Sequence, residues 1–133
     1  MTDLYEKKIL IVDDQPDNIV ILKRHLKMYT CDIAINGESA IILAENNKPD
    51  LILLDVMMPG MDGFSVAKQL KENPETADIP IIFVTAKTDV KSFIEGFDLG
   101  ADDYIMKPYD PKLVLQVVHS KLNPTDENEA DDE

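Results

Sequence analysis

The sequence has little cysteine and few basic residues, and each shortage excludes a class of protein. Cys31 is the single cysteine, so no disulfide can form within the chain. The 133 residues include 13 Lys and Arg against 26 Asp and Glu, giving a formal net charge of −13. Such an acidic chain is poorly suited to bind nucleic acid or an anionic membrane directly. It is better suited to cations and basic protein partners.

Long hydrophobic runs and clustered glycines are also missing. No apolar stretch approaches the ~20 residues that a membrane-spanning helix needs, and no signal peptide is present. We therefore expect a cytoplasmic chain with no membrane partner. The 5 glycines do not cluster after the first apolar run, which counts against a flavodoxin-like cofactor binder with a phosphate-cradling loop.

The chain does contain a regular alternation of short apolar runs with helix-length segments. The apolar runs are residues 9–12, 31–35, 51–54, 81–85 and 104–106, and the predicted helices are about 16–27, 38–46, 64–72, 90–99 and 111–122. Strands without polar alternation are typical of a parallel sheet covered on both faces by helices. We predict one α/β domain, doubly wound around a five-stranded parallel sheet, over residues 1–122.

Helical periodicity predicts which side chains the helices bury. The predicted buried residues are Ile19, Leu22 and Leu26; Ala40, Leu43 and Ala44; Val66, Ala67 and Leu70; Val90, Ile94 and Phe97; and Leu113, Val114, Val117 and Val118. Phe93 falls one position off the stripe of the fourth helix, so we expect it to face outward as a possible partner contact. Single exposed apolar residues are also common without any partner.

The last eleven residues, 123–133, differ in composition from the rest. They contain six acidic residues, no base and no aromatic or aliphatic bulk, which predicts a disordered acidic tail. The tail is either a linker remnant or a natural terminus, and the chain either a standalone protein or a fragment of a larger regulator.

Five polar residues follow directly after predicted strands. Asp13 and Asp14 follow the first, Asp55 follows the third, Thr85 ends the fourth and Lys107 follows the fifth. Parallel strands place their carboxyl ends at one edge of the sheet, where ligands bind. Two carboxylates about 4 Å apart repel by roughly 4 kcal/mol at an effective dielectric near 20, so a bound proton or cation is needed to relieve the repulsion.

The chemistry of these residues favours magnesium and phosphoryl transfer. Oxygen-only ligands suit Mg²⁺, whereas zinc would need His or Cys, and His25 and His119 are predicted to lie on helices away from this edge. An aspartate can act as a nucleophile and form an aspartyl-phosphate. Taken singly, each acid is more simply a helix cap or turn residue, but that explanation requires five coincidences at one edge.

Four motifs, ILIVDD, LILLDVMMPGMDG, IIFVTA and GADDYIMKP, occur in this order along the chain. With them the chain resembles, from about residue 8 to 122, the receiver domain of two-component response regulators. The resemblance implies the strand order 2-1-3-4-5. It also implies that Asp55 is the phosphoacceptor and that Asp14, Asp55 and the backbone carbonyl of Met57 bind Mg²⁺ directly. Asp13 would act through a metal-bound water.

The resemblance also implies a switch and its partners. Thr85 and Lys107 would contact the phosphoryl group, and Tyr104 would turn inward when Thr85 moves, altering the face made by helix 4, strand 5 and helix 5. The donor would be a sensor histidine kinase or a phosphotransfer protein, and the switched face would control an output protein, a missing output domain or a phosphorylation-dependent dimer. The chain would catalyse only its own phosphorylation and dephosphorylation.

Two further expectations concern reactivity. Side chains two residues after the acceptor aspartate and after the hydroxyl residue influence hydrolysis in receivers; here these are Met57 and Lys87. Because Met57 cannot orient a water molecule, we expect a long-lived phosphoryl group. The alternative function is an aspartyl-phosphate hydrolase of the haloacid-dehalogenase type. That class carries a D-x-D nucleophile motif after its first strand, whereas this chain has DDQPDN and no cap-sized insertion.

Overall fold

The computed structural model describes residues 7–86 and 90–123, and for Val90, Ser92 and Phe93 it describes the backbone alone. Strands and helices alternate along this part of the chain. The elements are β1 (Lys8–Val12), α1 (Pro16–His25), β2 (Thr30–Ala34), α2 (Gly37–Asn47), β3 (Leu51–Leu54), α3 (Gly63–Glu72), β4 (Ile81–Thr85), α4 (Val90–Asp98), β5 (Asp103–Met106) and α5 (Pro111–Leu122). Each strand is therefore followed by a helix.

The strands form one parallel sheet in the order β2-β1-β3-β4-β5, which confirms the predicted fold class. In the register, Val12 pairs with Ala34 on one side and Leu54 on the other. Thr85 pairs with Met106 of β5, the last strand in the sheet order. The strand ends that precede Asp13, Asp55 and Lys107 are thus aligned along one edge of the sheet.

Two hydrophobic clusters cover the two faces of the sheet. One contains side chains of α2 and α3, including Ala40, Val66 and Leu70, and the other contains side chains of α1 and α5, including Leu22 and Val118. Every residue of β3 and β4 is buried. This burial explains why those two strands carry no polar residue until they end.

The helix starts follow from local sequence. Asp62 caps α3 by accepting a hydrogen bond from the Ser65 N–H at 2.9 Å, and Asn36 caps α2 through the Ser39 N–H at 2.8 Å. Pro16 lies in the first turn of α1, where a missing N–H leaves no intrahelical bond unmade. These caps fix where the chain turns from the carboxyl edge of the sheet into each helix.

The predicted strand bounds agree with the observed bounds to within one residue. Residues 51–54 and 81–85 are β3 and β4 as predicted, and the other three strands each begin one residue earlier than predicted. The first helix was predicted to reach residue 27, but it ends at His25. Leu26 is still fully buried there, so its apolar character reports packing in the turn that follows the helix.

The predicted buried face of the fourth helix was wrong. Ile94 and Phe97 are 56% and 50% exposed. Among the residues of α4 whose side chains are described, Gly96 is the buried one, and a Cβ placed on it would lie 3.2 Å from Phe83 and 3.4 Å from Tyr104. Within the described part of α4, the residue closest to the sheet is therefore a glycine, which carries no hydrophobic signal in the sequence.

Other predicted core positions have mixed outcomes. Leu113 of α5 is 47% exposed, which contradicts its prediction, and Ile19, Leu43 and Val117 are only partly buried. The remaining helical positions outside α4 that were predicted to be buried are buried. Some predictions concern positions outside the described residues, namely the side chains of Val90 and Phe93, Lys87, and residues 124–133 of the predicted tail. Predictions about them, including the outward orientation of Phe93, stay predictions.

Candidate functional site

Backbone hydrogen bonds continue past the strand ends and hold the predicted polar residues at the carboxyl edge of the sheet. The Asp13 N–H donates to the Ala34 carbonyl at 3.1 Å, and the Asp55 N–H donates to the Val12 carbonyl at 3.0 Å. At the other side of the site, the Lys107 N–H donates to the Thr85 carbonyl at 2.8 Å. The position of each residue is thus set by the sheet.

Three carboxylates converge at this edge. Asp13, Asp14 and Asp55 each offer one oxygen, and the three oxygens lie within 4.8 Å of one another. Asp13 and Asp55 are only 3% and 4% exposed, while Asp14 is half-buried. Buried carboxylates this close require a cationic partner or a proton.

The Lys107 ammonium is the cationic partner that the structure shows. Its Nζ lies 3.2 Å from Asp13 Oδ2 and 3.2 Å from Asp55 Oδ2. One positive charge therefore faces two of the three negative charges. The site keeps an excess of negative charge that a divalent cation could balance.

Hydrogen bonds orient both buried carboxylates. Asp13 accepts from the Gln15 N–H at 2.8 Å and from the Asn18 amide at 3.3 Å. Asp55 accepts from the Met57 N–H at 3.1 Å through Oδ1, the oxygen that Lys107 does not contact. Asp13 does not cap α1, whose N-cap is Gln15 without a side-chain capping hydrogen bond; its carboxylate instead holds the turn before the helix and belongs to the acidic cluster.

Burial and charge change the proton affinities at this site. Burial raises the pKa of Asp55 above its ordinary value, and nearby Asp13 adds to the rise, while Lys107 and the Met57 N–H partly offset it. For Lys107, burial by itself lowers the pKa, but the attraction of Asp55 and Asp13 outweighs burial and leaves the pKa raised. Lys107 therefore stays protonated as a fixed ammonium.

Thr85 and Tyr104 lie on the neighbouring strands β4 and β5. Thr85 is fully buried, and Tyr104 is 8% exposed with its ring edge-on to Phe83, the ring centroids 6.0 Å apart. Tyr104 also packs against Gly96 of α4. The aromatic side chain that we predicted to switch therefore has an inward orientation in this structure.

An apolar groove beside Lys107 was not predicted. It has a volume of about 480 Å³, and its lining includes Asn18, Ile21, Ala86 and Tyr109. The Tyr109 hydroxyl is buried and has no hydrogen-bond partner among the described residues. Burial raises its pKa. Asn18 could have been suspected from the sequence, because it lies about one helical turn after the acids, whereas Tyr109 gave no distinguishing signal.

Both histidines lie away from the acidic cluster, as predicted. His25 Nδ1 lies 3.1 Å from the Ile21 carbonyl oxygen within α1. His119 Nδ1 lies 3.2 Å from the Tyr29 hydroxyl near the far end of α5. Neither imidazole is available as a ligand at this edge, so the donor set of the cluster consists of oxygen atoms.

The residues present fit Mg²⁺. The three carboxylates can approach one ion, carry more negative charge than Lys107 balances, and include no nitrogen or sulfur ligand. Hard oxygen ligands of this kind are those that Mg²⁺ prefers, with water completing its coordination.

No helix within residues 7–86 and 90–123 is long and apolar enough to cross a membrane.

Comparison with known sequences gives one consistent family. The family profile of the response regulator receiver domain matches residues 9–119. The DNA-binding dual master transcriptional regulator RpaA of Synechocystis is 40% identical over 90% of this chain and 50% of its own length. The response regulator PleD of Caulobacter vibrioides is 41% identical over 85% of this chain and 25% of its own length. The chain spans a quarter to about half of these relatives.

Solved structures agree with the sequence comparison. The CheY-like receiver domain protein of Methanospirillum hungatei has a TM-score of 0.83 at 28% identity, covering 92% of this chain and 98% of that one. The receiver domain of a signal transduction histidine kinase from Syntrophus aciditrophicus has a TM-score of 0.82 at 34% identity, covering 90% and 92%. Both are similar to this chain over nearly all of its described residues.

Proposed function

This chain belongs to the response regulator receiver family and is a phosphoacceptor module of two-component signalling, and we propose that Asp55 is its phosphoacceptor. The observation that carries the proposal is the position of the Asp55 carboxylate. It is nearly buried at the end of β3, 3.2 Å from the Lys107 ammonium and beside the carboxylates of Asp13 and Asp14. Its burial beside a fixed ammonium supports a role as nucleophile toward phosphorus.

The proposed reaction transfers a phosphoryl group from a phosphohistidine. One Asp55 carboxylate oxygen forms a bond to phosphorus, the phosphorus–nitrogen bond of the donor breaks, and the imidazole leaves with that electron pair. Lys107, already protonated, offsets the charge on the phosphoryl oxygens. Thr85, at the end of the neighbouring strand, donates a hydrogen bond to one of them. The chain catalyses its own modification, and hydrolysis by water later reverses it.

We propose that Asp14, Asp55 and the Met57 backbone carbonyl hold Mg²⁺ directly, with Asp13 acting through a metal-bound water. When bound, Mg²⁺ supplies positive charge that balances the carboxylates and the transferred phosphoryl group. Asp13 is the more buried of the two neighbouring acids and already holds Lys107. That arrangement suits an indirect role for Asp13 and leaves the half-buried Asp14 to approach the ion.

Met57 is proposed to make the phosphorylated state long-lived. Its side chain is 58% exposed directly beside the acceptor, and a thioether is a poor group for orienting an attacking water. Met57→Asn should therefore shorten the phosphoryl lifetime, measured by decay of the phosphorylated mass after removal of the donor. Equal lifetimes would contradict this role. Measuring the phosphoryl lifetime after substitution of Lys87 tests the second side chain that was predicted to influence hydrolysis.

The output is proposed to pass through the face made by α4, β5 and α5. Ile94, Phe97, Met106 and Leu113 are large apolar side chains exposed on these three elements. Phosphorylation adds about −1.5 to −2 charges, and its contact with Thr85 biases the packing of Tyr104 next to Gly96 and so the position of α4. The occupant is an output protein, an output domain or a second copy. The donor is a sensor histidine kinase or a phosphotransfer protein.

Intact mass measurement after incubation with acetyl phosphate and Mg²⁺ tests the acceptor. We expect one phosphoryl group retained per chain, none in Asp55→Asn, and wild-type labelling in the control Asp17→Asn, which alters an exposed acid of α1. Steady release of phosphate without a retained label would favour the hydrolase alternative. Undiminished labelling of Asp55→Asn would overturn the assignment of Asp55.

A pull-down with and without phosphorylation tests the output face. The double variant Ile94→Ser, Phe97→Ser should lose phosphorylation-dependent partners while labelling at the wild-type rate. Phe93→Ala applies the same test to the remaining predicted contact. Partner capture that the double variant leaves unchanged would exclude this part of the face.

A further inference from the structure

The amino edge of the sheet, opposite the acidic cluster, carries a concentration of positive charge. Five of the 13 Lys and Arg residues of the chain lie within residues 7–27. We call them the basic end: Lys7, Lys8, Lys23, Arg24 and Lys27. Lys7 and Lys8 lie at the start of β1, and the other three lie in the last turn of α1 and just after it.

The contacts show that these two groups lie near each other. The Thr30 N–H, three residues after Lys27, donates to the Lys7 carbonyl at 3.0 Å. Lys23 is close enough to Cys31 of β2 to lower the pKa of its thiol, against the larger raising effect of burial. The start of β1, the end of α1 and the start of β2 therefore form one surface.

The charge of the basic end is poorly balanced within the described residues. Lys8, Lys23, Arg24 and Lys27 are exposed, and none of the five side chains makes an ion pair with residues 7–86 or 90–123. Two described acids lie on the neighbouring strand ends: the Asp50 carboxylate accepts from the Lys8 backbone N–H at 2.7 Å, and Asp32 of β2 accepts from Asn47. Both carboxylates already have hydrogen-bond donors.

The C-terminal segment starts beside this surface. Asn123, the last described residue, donates its backbone N–H to the His119 carbonyl at 2.9 Å. The His119 ring in turn lies 3.2 Å from the hydroxyl of Tyr29, which immediately precedes Thr30. The chain therefore leaves α5 next to the junction of α1 and β2.

The segment that follows matches the basic end in charge and length. Residues 124–133 contain six acids and no base: Asp126, Glu127, Glu129, Asp131, Asp132 and Glu133. Ten residues reach about 33 Å when extended, which is ample to cross the end of one helix and two strands. Opposite charges attract one another when they come within the Debye length, which is about 8 Å at physiological salt.

We propose that residues 124–133 bind across the basic end of the same chain through charge complementarity. The bound segment covers the basic end, and any other acidic ligand of that surface competes with it. This contact is independent of the phosphoacceptor assignment, because the basic end and the acidic cluster lie at opposite edges of the sheet.

Zero-length carbodiimide crosslinking of the full chain tests the proposal, since it joins a carboxylate to a lysine in contact with it. At low salt we expect peptides of residues 124–133 joined to Lys7, Lys8, Lys23 and Lys27. The exposed lysines Lys68 of α3 and Lys112 at the start of α5 serve as controls. Screening at 1 M salt, where the Debye length is about 3 Å, should lower the yield at the basic end by roughly tenfold.

A charge variant distinguishes binding of residues 124–133 to the basic end from crosslinking that occurs only because the two are joined in one chain. Arg24→Glu removes no crosslinkable amine, yet it should lower the yield at Lys7, Lys23 and Lys27 several-fold, whereas Lys112→Glu should leave that yield unchanged. A yield that depends on neither salt nor Arg24→Glu would overturn the proposal. Circular dichroism of both variants checks that the fold is retained.

An isotope mixture identifies the occupant. Heavy and light chains are combined before crosslinking, and binding within one chain should give products with two heavy or two light partners only. Mixed products in about half of the crosslinks would show that the segment binds a second copy, which would overturn the proposal as stated.

Discussion

Helices α3 and α4 have similar lengths and follow neighbouring strands, yet they pack against the sheet in different ways. α3 buries Val66, Ala67 and Leu70, each no more than 1% exposed. α4 leaves Ile94 and Phe97 at least half exposed and approaches β4 and β5 through Gly96. α3 is thus fixed by apolar burial, whereas α4 retains apolar surface that no described residue covers.

The difference indicates separate roles for the two helices. Burial of apolar side chains stabilises a helix position by about 25 cal/mol per Å², so α3 resists displacement and holds the loop after Asp55. Among the described side chains of α4, none supplies comparable apolar burial, and the residue that lies against Tyr104 is Gly96. We infer that α3 is held in place beside Asp55, whereas α4 can shift relative to Tyr104.

The largest expected effect comes from adding a methyl group at the glycine that starts α3. A Cβ on Gly63 would lie 2.3 Å from the Asp55 carbonyl oxygen and 2.7 Å from Val56 Cα. Because both atoms belong to the backbone, Gly63→Ala should lower the free energy of unfolding by about 4 kcal/mol or more and impair phosphorylation. Urea denaturation measures the first effect and acetyl phosphate labelling the second.

The matched change in α4 is Gly96→Ala. There the Cβ meets ring atoms of Phe83 at 3.2–3.3 Å, so small movements of side chain and helix relieve the contact. The gain in helix propensity of up to ~1 kcal/mol partly offsets the crowding. A loss as large as that of Gly63→Ala would show that α4 is as rigidly seated as α3.

The next effect is that of truncating buried side chains. Leu70→Ala should cost about 2–5 kcal/mol, since it leaves a cavity in a fully packed site. Phe97→Ala should cost about 1 kcal/mol or less, because half of the ring already faces solvent. Thermal and urea unfolding of both variants provide the comparison, and similar losses would remove the distinction between the helices.

A smaller effect is expected at the cap of α3. Asp62→Ala removes the acceptor for the Ser65 N–H and should cost about 1 kcal/mol, while Asp62→Asn should retain most of the stability. Equal losses in the two variants would point to the charge of Asp62 and not to its hydrogen bond.

The smallest expected effect is a difference in hydrogen exchange between the two helices, measured on the wild-type chain. Backbone amides of α4 should exchange roughly tenfold faster than those of α3, since local opening exposes less buried surface. Phosphorylation should change protection in α4 more than in α3. Uniform protection across both helices, with and without phosphate, would contradict a movable α4.

The sequence predicted the alternating fold and the acidic edge because strong local signals coincide with them. Uninterrupted apolar runs identify the buried strands, and a polar residue directly after each run fixes what lies at the carboxyl edge. Asp13, Asp14, Asp55, Thr85 and Lys107 could therefore be placed at that edge without coordinates. Their roles are those that the family resemblance implies.

The sequence failed where packing depends on a residue without hydrophobic character. In α4 the periodicity of Ile94 and Phe97 indicated a buried stripe, but both are exposed, and among the described side chains of this helix Gly96 is the one that lies against the sheet. Leu113 was predicted to be buried, but the apolar stripe of α5 is wider than the face that the helix buries. Part of the stripe, including Leu113, is therefore exposed. Tyr109 was missed because only the folded structure brings it beside Lys107, whereas Asn18, about one helical turn after the acids, had a signal in the sequence that was not used.

The hydrogen bonds from Asp13 and Asp55 back to Ala34 and Val12 extend the sheet ladder by one step into the site. The distance between the Asp13 and Asp55 backbones is consequently set by the spacing of paired strands and does not depend on the conformation of a loop. A slip of β3 by one residue would turn Asp55 to the opposite face of the sheet and dismantle the constellation in a single event. A chain that folds with its strands misaligned would thus lose phosphorylation altogether, and would not merely be phosphorylated to a different extent.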